Sequence, residues 1–592
     1  MSKGQNQGRD YARLLIMIIE NIHSTQILKL NILDFGASAV AVALVYCSPR
    51  LGERWFVKIE QYACRLANYK NACVFFFGLF YLLLRLMILP FCPVPLPTVA
   101  DDHSVLFAAD TFLHGRLSNP TPVLWEHFEA IHLNVQPTYT SMYFPGMGLM
   151  CAAGQLLFGH PWFGILATAA LACSAICWML QAWLPSRWAL LGSFIFLFRA
   201  MLFSYWTNSY TGGATLSVIA GALILGSLPR VMKKLSLRYA LWMGLGFAIL
   251  VLTRPYEGVL LGIPVVATLV FWLTKAKNRP RLKTVVLSAA GGFALVASAV
   301  AWLGYYDYRA YGSPTTLPYT VARKAYAVSP YFVWQPLRKP PVYRHPEMRK
   351  FYCEDELKLR NLLPQHMRFA TNALCNLAIN TMFYCAFGLL PFLFLLWRSL
   401  KDRRMRWIAL ALPVWLLGYA VEDFVIPHYT APFACVIYLL LVQSIRHMRW
   451  MKDRNQIAGR ALVRFLAVAT LLLVVVRVFA NPLNLAPPAF PVGGWATWWT
   501  GPGVYGTERV RVKNELEKMP GKQLVILRYG SDHEPLNEWA YNGANMNDEK
   551  IIWAKEMDET SNRALISYYR DRTPWLVEVD RAPQTPVPYP QH

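Results

Sequence analysis

The sequence predicts an all-α polytopic membrane protein with a small α/β domain at its C-terminal end. Hydrophobic residues make up 55% of the 592 residues, charged residues only 16%, and the mean hydropathy is +0.30. Soluble proteins carry about 25% charged residues, so this composition excludes a soluble enzyme, a disordered chain and a fibrous protein. Long apolar stretches recur along most of the chain, whereas alternating helix and strand patterns are confined to its C-terminal part.

The apolar stretches set the number of membrane-spanning helices. Such a helix needs about 20 mainly apolar residues, and we expect about 11–12 of them. The clear candidates are 72–91, 161–184, 187–204, 212–230, 239–253, 256–273, 284–303, 378–397, 407–421, 430–446 and 461–480. Whether the weaker candidate 33–48 spans stays open. The apolar segment 143–158 begins with a Pro-Gly turn and is expected to lie on or dip into the outer face.

Basic residues in the short connections predict the orientation. Four connections hold 20 Lys and Arg residues, whereas the three alternate ones hold only Arg254. Short loops rich in Lys and Arg stay in the cytoplasm, so the cytoplasmic connections are predicted to be 230–238, 274–283, 398–406 and 446–464. Segment 50–70 is expected on the same side as an interfacial helix. Because the net charge of +24 follows from such clusters, we expect no nucleic-acid partner.

This orientation places three long segments outside: 92–160, 304–377 and 481–592. The chain therefore divides into an N-terminal segment 1–71, a membrane domain 72–480 and an extracytoplasmic domain 481–592. A linker rich in Pro and Gly opens the last domain, and the pattern after it is typical of α/β structure. Its predicted elements are helix 507–518, strand 523–529, strand 550–556, helix 560–570 and strand 574–579. Cys92 and Cys353 fall in outer loops, and their pairing stays open.

The acidic pair Asp101-Asp102 is the most informative stretch of the outer loops. Two adjacent acids at a membrane surface are costly to desolvate unless they are paired or used. One of them can accept a proton from an attacking hydroxyl. The alternative is that an aspartate caps the helix that follows, and one carboxylate can cap while the other faces the site.

The predicted helix after the pair carries His103, Asp110 and His114 near one face. Asp110 and His114 are four residues apart, so they could share a metal ion. The alternative is an interfacial salt bridge between the two side chains, and this alternative is favoured.

Other outer loops add candidate binding residues. Aromatic and hydrogen-bonding side chains such as Asn208 and Tyr210 suit sugar rings, although aromatic belts at a membrane surface look the same. Arg254 suits a phosphate through a bidentate contact, with Glu257 as the competing partner. The further candidates are Arg323, Lys324, His428 and Tyr429.

Taken in order, these features resemble the GT-C superfamily of membrane glycosyltransferases. The features are an acidic pair after an early outward helix, a long first outer loop, a Pro-Gly turn before an apolar segment, and the stretches TRPYEG (253–258) and PHYTAP (427–432). The pattern is similar to the branch of protein O-mannosyltransferases and lipid A aminoarabinose transferases. The resemblance covers about 72–480.

The resemblance implies a plasma (inner) membrane enzyme that uses a polyprenyl-phosphate sugar donor and inverts the anomeric carbon. It gives Asp101 the catalytic position, with Asp102 beside it. The acceptor is a lipid, glycan or protein, and Arg254 or a divalent cation (Mg²⁺ or Mn²⁺) would stabilise the leaving phosphate. Two departures stand out: Met142 lies where many relatives carry a Lys, and Asn208 and Gly212 lie where an acid is frequent. A transporter or flippase of lipid-linked glycans is the alternative.

Overall fold

The computed structural model describes residues 25–211, 213–275, 280–357, 360, 365–402, 405–424, 426–450, 455–480, 482–483, 485 and 507–590. Most of the predicted linker after residue 481, Gly212 and parts of three predicted cytoplasmic connections (276–279, 403–404 and 451–454) lie outside these residues.

Helices account for the long apolar stretches. Those of the first half are α1 (Thr25–Cys47), α2 (Glu53–Ala67), α3 (Lys70–Met87), α4 (Ala100–Leu113), α5 (Pro145–Phe158), α6 (Trp162–Trp183), α7 (Ser186–Phe196), α8 (Tyr205–Asn208), α9 (Ala214–Lys233), α10 (Leu237–Thr253) and α11 (Pro255–Lys275). Those that follow are α12 (Leu282–Tyr311), α13 (Pro318–Tyr326), α14 (Pro346–Lys350), α15 (Gln365–Leu393), α16 (Leu396–Lys401), α17 (Arg406–Ala409), α18 (Ala411–Ala420), α19 (Ala434–Arg449), α20 (Asn455–Val478), α21 (Thr507–Glu517) and α22 (Glu559–Tyr568).

The chain is a multi-pass membrane protein. Within the described residues, eight helices are long and apolar enough to cross a membrane, and they correspond to eight predicted spans: α3, α6, α9, α11, α12, α15, α19 and α20. Three further predicted spans form shorter apolar segments: α7 with its π-helical turn Leu197–Met201, α10, and α17 with α18. The open candidate 33–48 lies in α1, where the apolar part Asn31–Cys47 is also short of a full span.

The centre of the bundle is α9. Its residues from Ala214 to Leu228 are all buried, as expected for a helix that is apolar on every side. Gly221 lies against the carbonyl of Pro432, where a Cβ atom would come within 2.3 Å of the oxygen. Only glycine therefore permits this approach of α9 to the turn Ala431–Phe433.

Two predicted spans have corrected boundaries. The span predicted at 284–303 continues as α12 to Tyr311, because its polar end packs against the outer loops through Tyr311. The span predicted at 378–397 begins at Gln365 and is broken at Ala386, whose φ is +45° and ψ −161°. The second outer loop is consequently shorter than 304–377. Cys92 and Cys353 are free thiols.

The C-terminal part contains a four-stranded sheet of β3 (Lys522–Arg528), β4 (Ile551–Lys555), β5 (Arg572–Glu578) and β6 (Val587–Pro588). The order is β4-β3-β5-β6; β3 runs parallel to β4 and β5, and β6 is antiparallel to β5. Helix α22 connects β4 to β5, as the predicted helix–strand alternation requires.

The sheet shares its core with the outer loops. Leu524 and Ile552 of the sheet belong to the same buried cluster as Ile131 of the first outer loop and Met348 of the second. A small hairpin, β1 (Leu133–Asn134) with β2 (Thr140–Ser141), lies in the first loop. The C-terminal part therefore packs directly on the outer loops that carry the candidate site.

Candidate active site

The two adjacent aspartates at the start of α4 have different surroundings. Asp102 is fully buried, and its carboxylate accepts four hydrogen bonds: from Thr98 N at 3.0 Å and Oγ1 at 3.1 Å, from Tyr210 N at 2.8 Å, and from Thr211 Oγ1 at 2.7 Å. Burial raises the pKa of Asp102, and the hydrogen bonds oppose this shift. Val99 holds the N-cap position. Asp102 therefore does not cap α4 but ties its first turn to the loop after α8.

Asp101 is the accessible carboxylate of the pair. Its side chain is 23% exposed, and its Oδ1 lies 3.5 Å from His132 Nδ1. The hydroxyl of Tyr143 donates a hydrogen bond to the same oxygen and is 3.2 Å from His132 Nδ1. Both contacts are made by Oδ1, and among the described residues Oδ2 of Asp101 has no hydrogen-bond partner. We call Asp101, His132 and Tyr143 the carboxylate group.

Local backbone geometry assembles the carboxylate group. His132 precedes β1 and has φ +66°, in the left-handed region that few residues other than glycine adopt. The hairpin pairs Leu133 with Ser141, so His132 and Tyr143, which flank the hairpin, meet beside Asp101. Burial lowers the pKa of His132, although the nearby Asp101 opposes the shift. The sequence spacing does not reveal this meeting, because it depends on the hairpin.

Tyr319 contacts the carboxylate group and lies within electrostatic range of Arg254. The rings of Tyr143 and Tyr319 contact edge to face, with centroids 5.4 Å apart. The guanidinium of Arg254 lies 4.5 Å from the centre of the Tyr429 ring and 3.5 Å from Glu257 Oε1. Burial alone would lower the pKa of Arg254, but Tyr319, Glu257 and Tyr429 raise it. Arg254 thus carries a full positive charge, and its pairing with Glu257 is formed.

Asn208 and Tyr210 are buried beneath α4 instead of lining an open surface. Asn208 Oδ1 accepts a hydrogen bond from Arg85 Nη2 at 2.9 Å. Tyr210 donates its hydroxyl hydrogen to Pro95 O at 3.1 Å, and its backbone N–H holds Asp102. The polar groups that predicted sugar contact are therefore engaged within the protein.

The face of α4 that carries His103, Asp110 and His114 contacts the C-terminal part. The ring of His103 stacks on Tyr541 with centroids 4.3 Å apart, and burial lowers the pKa of His103. Asp110 Oδ2 accepts a hydrogen bond from Ala544 N at 2.6 Å, and Asp110 Oδ1 is 3.4 Å from His114 Nδ1. His114 Nδ1 is also 2.8 Å from the backbone oxygen of Asp110, so the two residues are paired with each other, as favoured. Across the described ranges, His, Cys, Asp and Glu side chains form no group of three that could hold a metal ion.

Arg323 and Lys324 also differ from the prediction of phosphate ligands. Arg323 Nη1 forms a 2.6 Å ion pair with Glu356 Oε1, and burial together with this pairing fixes its guanidinium inside the second outer loop. Lys324 is exposed on the outer surface of α13. Neither side chain therefore lies free beside the carboxylate group.

His428 and Glu422 complete the surroundings of Arg254. His428 is buried, its Nδ1 is hydrogen-bonded to Tyr205 OH at 3.1 Å, and burial and the charge of Arg254 lower its pKa. Glu422 was not predicted as a site residue. Burial and the charge of Glu257 raise the pKa of Glu422, while Arg254 opposes the shift. Two carboxylates thus lie within electrostatic range of one guanidinium.

No family model matches the chain, and no curated protein matches it. An oligosaccharyltransferase from Archaeoglobus fulgidus, in complex with zinc and sulfate, matches with a TM-score of 0.45 and 12% identity, over 84% of this chain and 67% of that chain. ArnT from Cupriavidus metallidurans in the apo state matches with a TM-score of 0.46 and 12% identity, over 85% of this chain and 92% of that chain. ArnT bound to undecaprenyl phosphate matches with a TM-score of 0.43 and 12% identity, over 84% and 92%.

Proposed function

We propose that this chain is a membrane glycosyltransferase that moves a sugar from a polyprenyl-phosphate donor to an acceptor on the extracytoplasmic face, with inversion at the anomeric carbon. The carboxylate group carries the proposal: Asp101 is accessible and hydrogen-bonded to Tyr143, whose ring contacts Tyr319, and Tyr319 lies within electrostatic range of Arg254. A site in the outer loops of a multi-pass protein suits a donor that resides in the lipid. The acceptor is a lipid, glycan or protein.

Asp101 is the general base of the proposed reaction. The acceptor hydroxyl gives its proton to Oδ2 of Asp101 while its oxygen attacks the anomeric carbon, and the bond between that carbon and the phosphate oxygen breaks. Tyr143 holds the carboxylate through Oδ1. Removing such a base typically costs about 10²–10⁴-fold in rate.

Arg254 stabilises the leaving phosphate in this proposal. Negative charge grows on the phosphate as the bond breaks, and a preorganised cation lowers the energy of that state. The planar guanidinium can form two parallel hydrogen bonds to phosphate oxygens. Because Asp110 and His114 are engaged with each other, no step is assigned to a divalent cation at that pair.

The test compares Asp101→Asn with Asp110→Asn, a carboxylate on the same helix. Both proteins are purified in nanodiscs and assayed with a radiolabelled polyprenyl-phosphate sugar and cell-envelope acceptors from a strain that lacks the gene. We expect Asp101→Asn to lose about 10²–10⁴-fold in transfer and Asp110→Asn to stay within a few-fold of the wild type. Near wild-type transfer by Asp101→Asn would disprove the mechanism.

One observation favours the alternative of a lipid-linked glycan transporter. The break in α15 lies beside Asp34 of α1, whose Oδ2 accepts a hydrogen bond from Phe387 N at 3.1 Å, and Arg199 interacts with Asp34 electrostatically. Broken helices and buried charges within membrane segments are typical of transporters. The transporter would be supported if the protein translocates a labelled lipid-linked glycan in liposomes. Asp34→Asn should then abolish the translocation, and Asp101→Asn should leave it intact.

A further inference from the structure

We infer that a cavity between the two outer loops binds one sugar ring of the acceptor. Calling this ligand the acceptor rests on the proposed glycosyl transfer, but the binding of a sugar ring does not require turnover. The cavity has a volume of about 160 Å³ and is separate from the carboxylate group. The first outer loop contributes Trp125, Glu129, Asn134 and Gln136, and the second contributes Tyr326 and Arg344.

The size and the lining of the cavity suit a single hydroxylated ring. Sites for drug-sized ligands measure about 300–1,000 Å³, so this cavity holds a smaller group. Trp125 and Tyr326 provide apolar aromatic surface, and Gln136 provides an amide that both donates and accepts hydrogen bonds. A site that binds a sugar ring needs an apolar face beside groups that donate and accept hydrogen bonds.

Asn134 supplies a second, independent sign of a ligand. Its amide nitrogen donates to Tyr311 OH at 3.1 Å and to Pro318 O at 3.2 Å, which fixes the orientation of the amide. Its side-chain oxygen is buried and has no hydrogen-bond partner among the residues that the structure describes. A buried acceptor without a partner destabilises the folded protein. Asn134 lines the cavity, and a small movement of its side chain would present this oxygen to a ligand hydroxyl.

The charges of the cavity favour a neutral ligand. Glu129 is buried, accepts a hydrogen bond from Tyr326 OH at 2.9 Å, and lies 3.5 Å from Arg344 Nη1. The Glu129 carboxylate would repel a phosphate, and the Arg344 guanidinium would repel a cation. Hydroxyl groups can donate to Glu129 and accept from Arg344, so a neutral sugar is the class of ligand that both side chains accept.

The position of the cavity connects it to the carboxylate group. Asn134 lies in β1, two residues after His132, whose ring is 3.5 Å from Asp101. Two residues of extended chain span at most about 7 Å. A sugar bound at Asn134 therefore lies close enough to Asp101 for the same acceptor to present a hydroxyl there.

Binding is tested without donor, on the full-length protein in nanodiscs. Saturation-transfer NMR is recorded with the methyl glycosides of glucose, galactose, mannose and N-acetylglucosamine as probes. The variants are Arg344→Ala and Trp125→Ala, and the matched control is Arg349→Ala, an exposed arginine of the same loop outside the cavity. We expect the wild type and Arg349→Ala to bind at least one glycoside, and the two cavity variants to bind it about tenfold more weakly.

Two results would overturn the inference: binding of none of the four glycosides by the wild type, or equal binding by Arg344→Ala, Trp125→Ala and the wild type. The measurement also separates this inference from the proposed function. A wild type that binds a glycoside through the cavity but transfers no sugar supports the cavity and contradicts the transferase. A wild type that transfers sugar but binds no glycoside contradicts the cavity alone.

Discussion

Replacing Lys555 by Met should loosen the contact between the C-terminal sheet and the outer loops. Lys555 is buried at the end of β4, and its Nζ lies 2.7 Å from Glu347 Oε1 and 2.6 Å from Glu538 Oε2. Glu347 belongs to the second outer loop, whereas Glu538 belongs to the C-terminal part. The ammonium thus joins two segments that are far apart in the sequence.

The expected cost follows from the burial of these charges. Removing one partner of a buried ion pair leaves an uncompensated charge and costs about 3–5 kcal/mol. At 1.36 kcal/mol per factor of ten, this corresponds to about 10²–10⁴-fold faster exchange of the amides that depend on the contact. The matched control is Lys513→Met, because Lys513 is half exposed and lies 3.6 Å from Glu517. Exposed pairs contribute about 0–1 kcal/mol.

Hydrogen exchange measured by mass spectrometry reports this difference directly. Peptides that cover β4 and the segment around Glu347 should lose protection in Lys555→Met and keep it in Lys513→Met. A loss of protection no greater than that of the control would refute the reasoning, because it would show that the buried pair does not hold the two segments together.

The same contact should depend on pH. Burial alone would lower the pKa of Lys555, but Glu347 and Glu538 raise it, and Lys555 lowers the pKa of Glu347 against the effect of burial. A lowered carboxyl pKa stabilises the folded protein above about pH 4.3, and a raised lysine pKa stabilises it below about pH 10.4. Protection of β4 should therefore fall on acidification below the first value and on alkalinisation above the second. Lys555→Met should lack the alkaline loss.

Three further predictions concern the site and the orientation. Asp102→Asn should lower the free energy of unfolding by about 2–4 kcal/mol, since the amide nitrogen cannot accept two of the four hydrogen bonds; thermal unfolding should show this loss, whereas Asp101→Asn should melt like the wild type. Arg254→Lys should raise the donor concentration needed for half-maximal rate by more than the retained charge suggests, because lysine lacks the planar fork. Unchanged kinetics in both Arg254→Lys and Arg254→Ala would remove this residue from the site. A cysteine introduced at 590 should react with an impermeant maleimide on intact cells, and labelling only after permeabilisation would reverse the predicted orientation.

The sequence by itself determined most of the membrane helices and three of the four strands of the C-terminal sheet. Hydropathy over about 20 residues is a local property, so it identified α9 and α19 within a few residues of their ends. The alternation of β3, α22 and β5 was also readable, because each element carries its own periodicity. The break at Ala386 was not predicted, although Gly388 and Pro391 follow it closely, because such residues in an apolar stretch do not by themselves fix where a helix breaks.

The tertiary structure alone decided which side chains meet. It separated Asp101 from Asp102 by burial, although the two are neighbours in the sequence. It also brought His132 and Tyr143 to Asp101 through a hairpin whose register no local pattern specifies. Asp110 carried the right chemistry for a metal, but it accepts a hydrogen bond from Ala544 of the C-terminal part. Residue type limits what a side chain can do, whereas packing between distant segments decides whether solvent, substrate or protein reaches it.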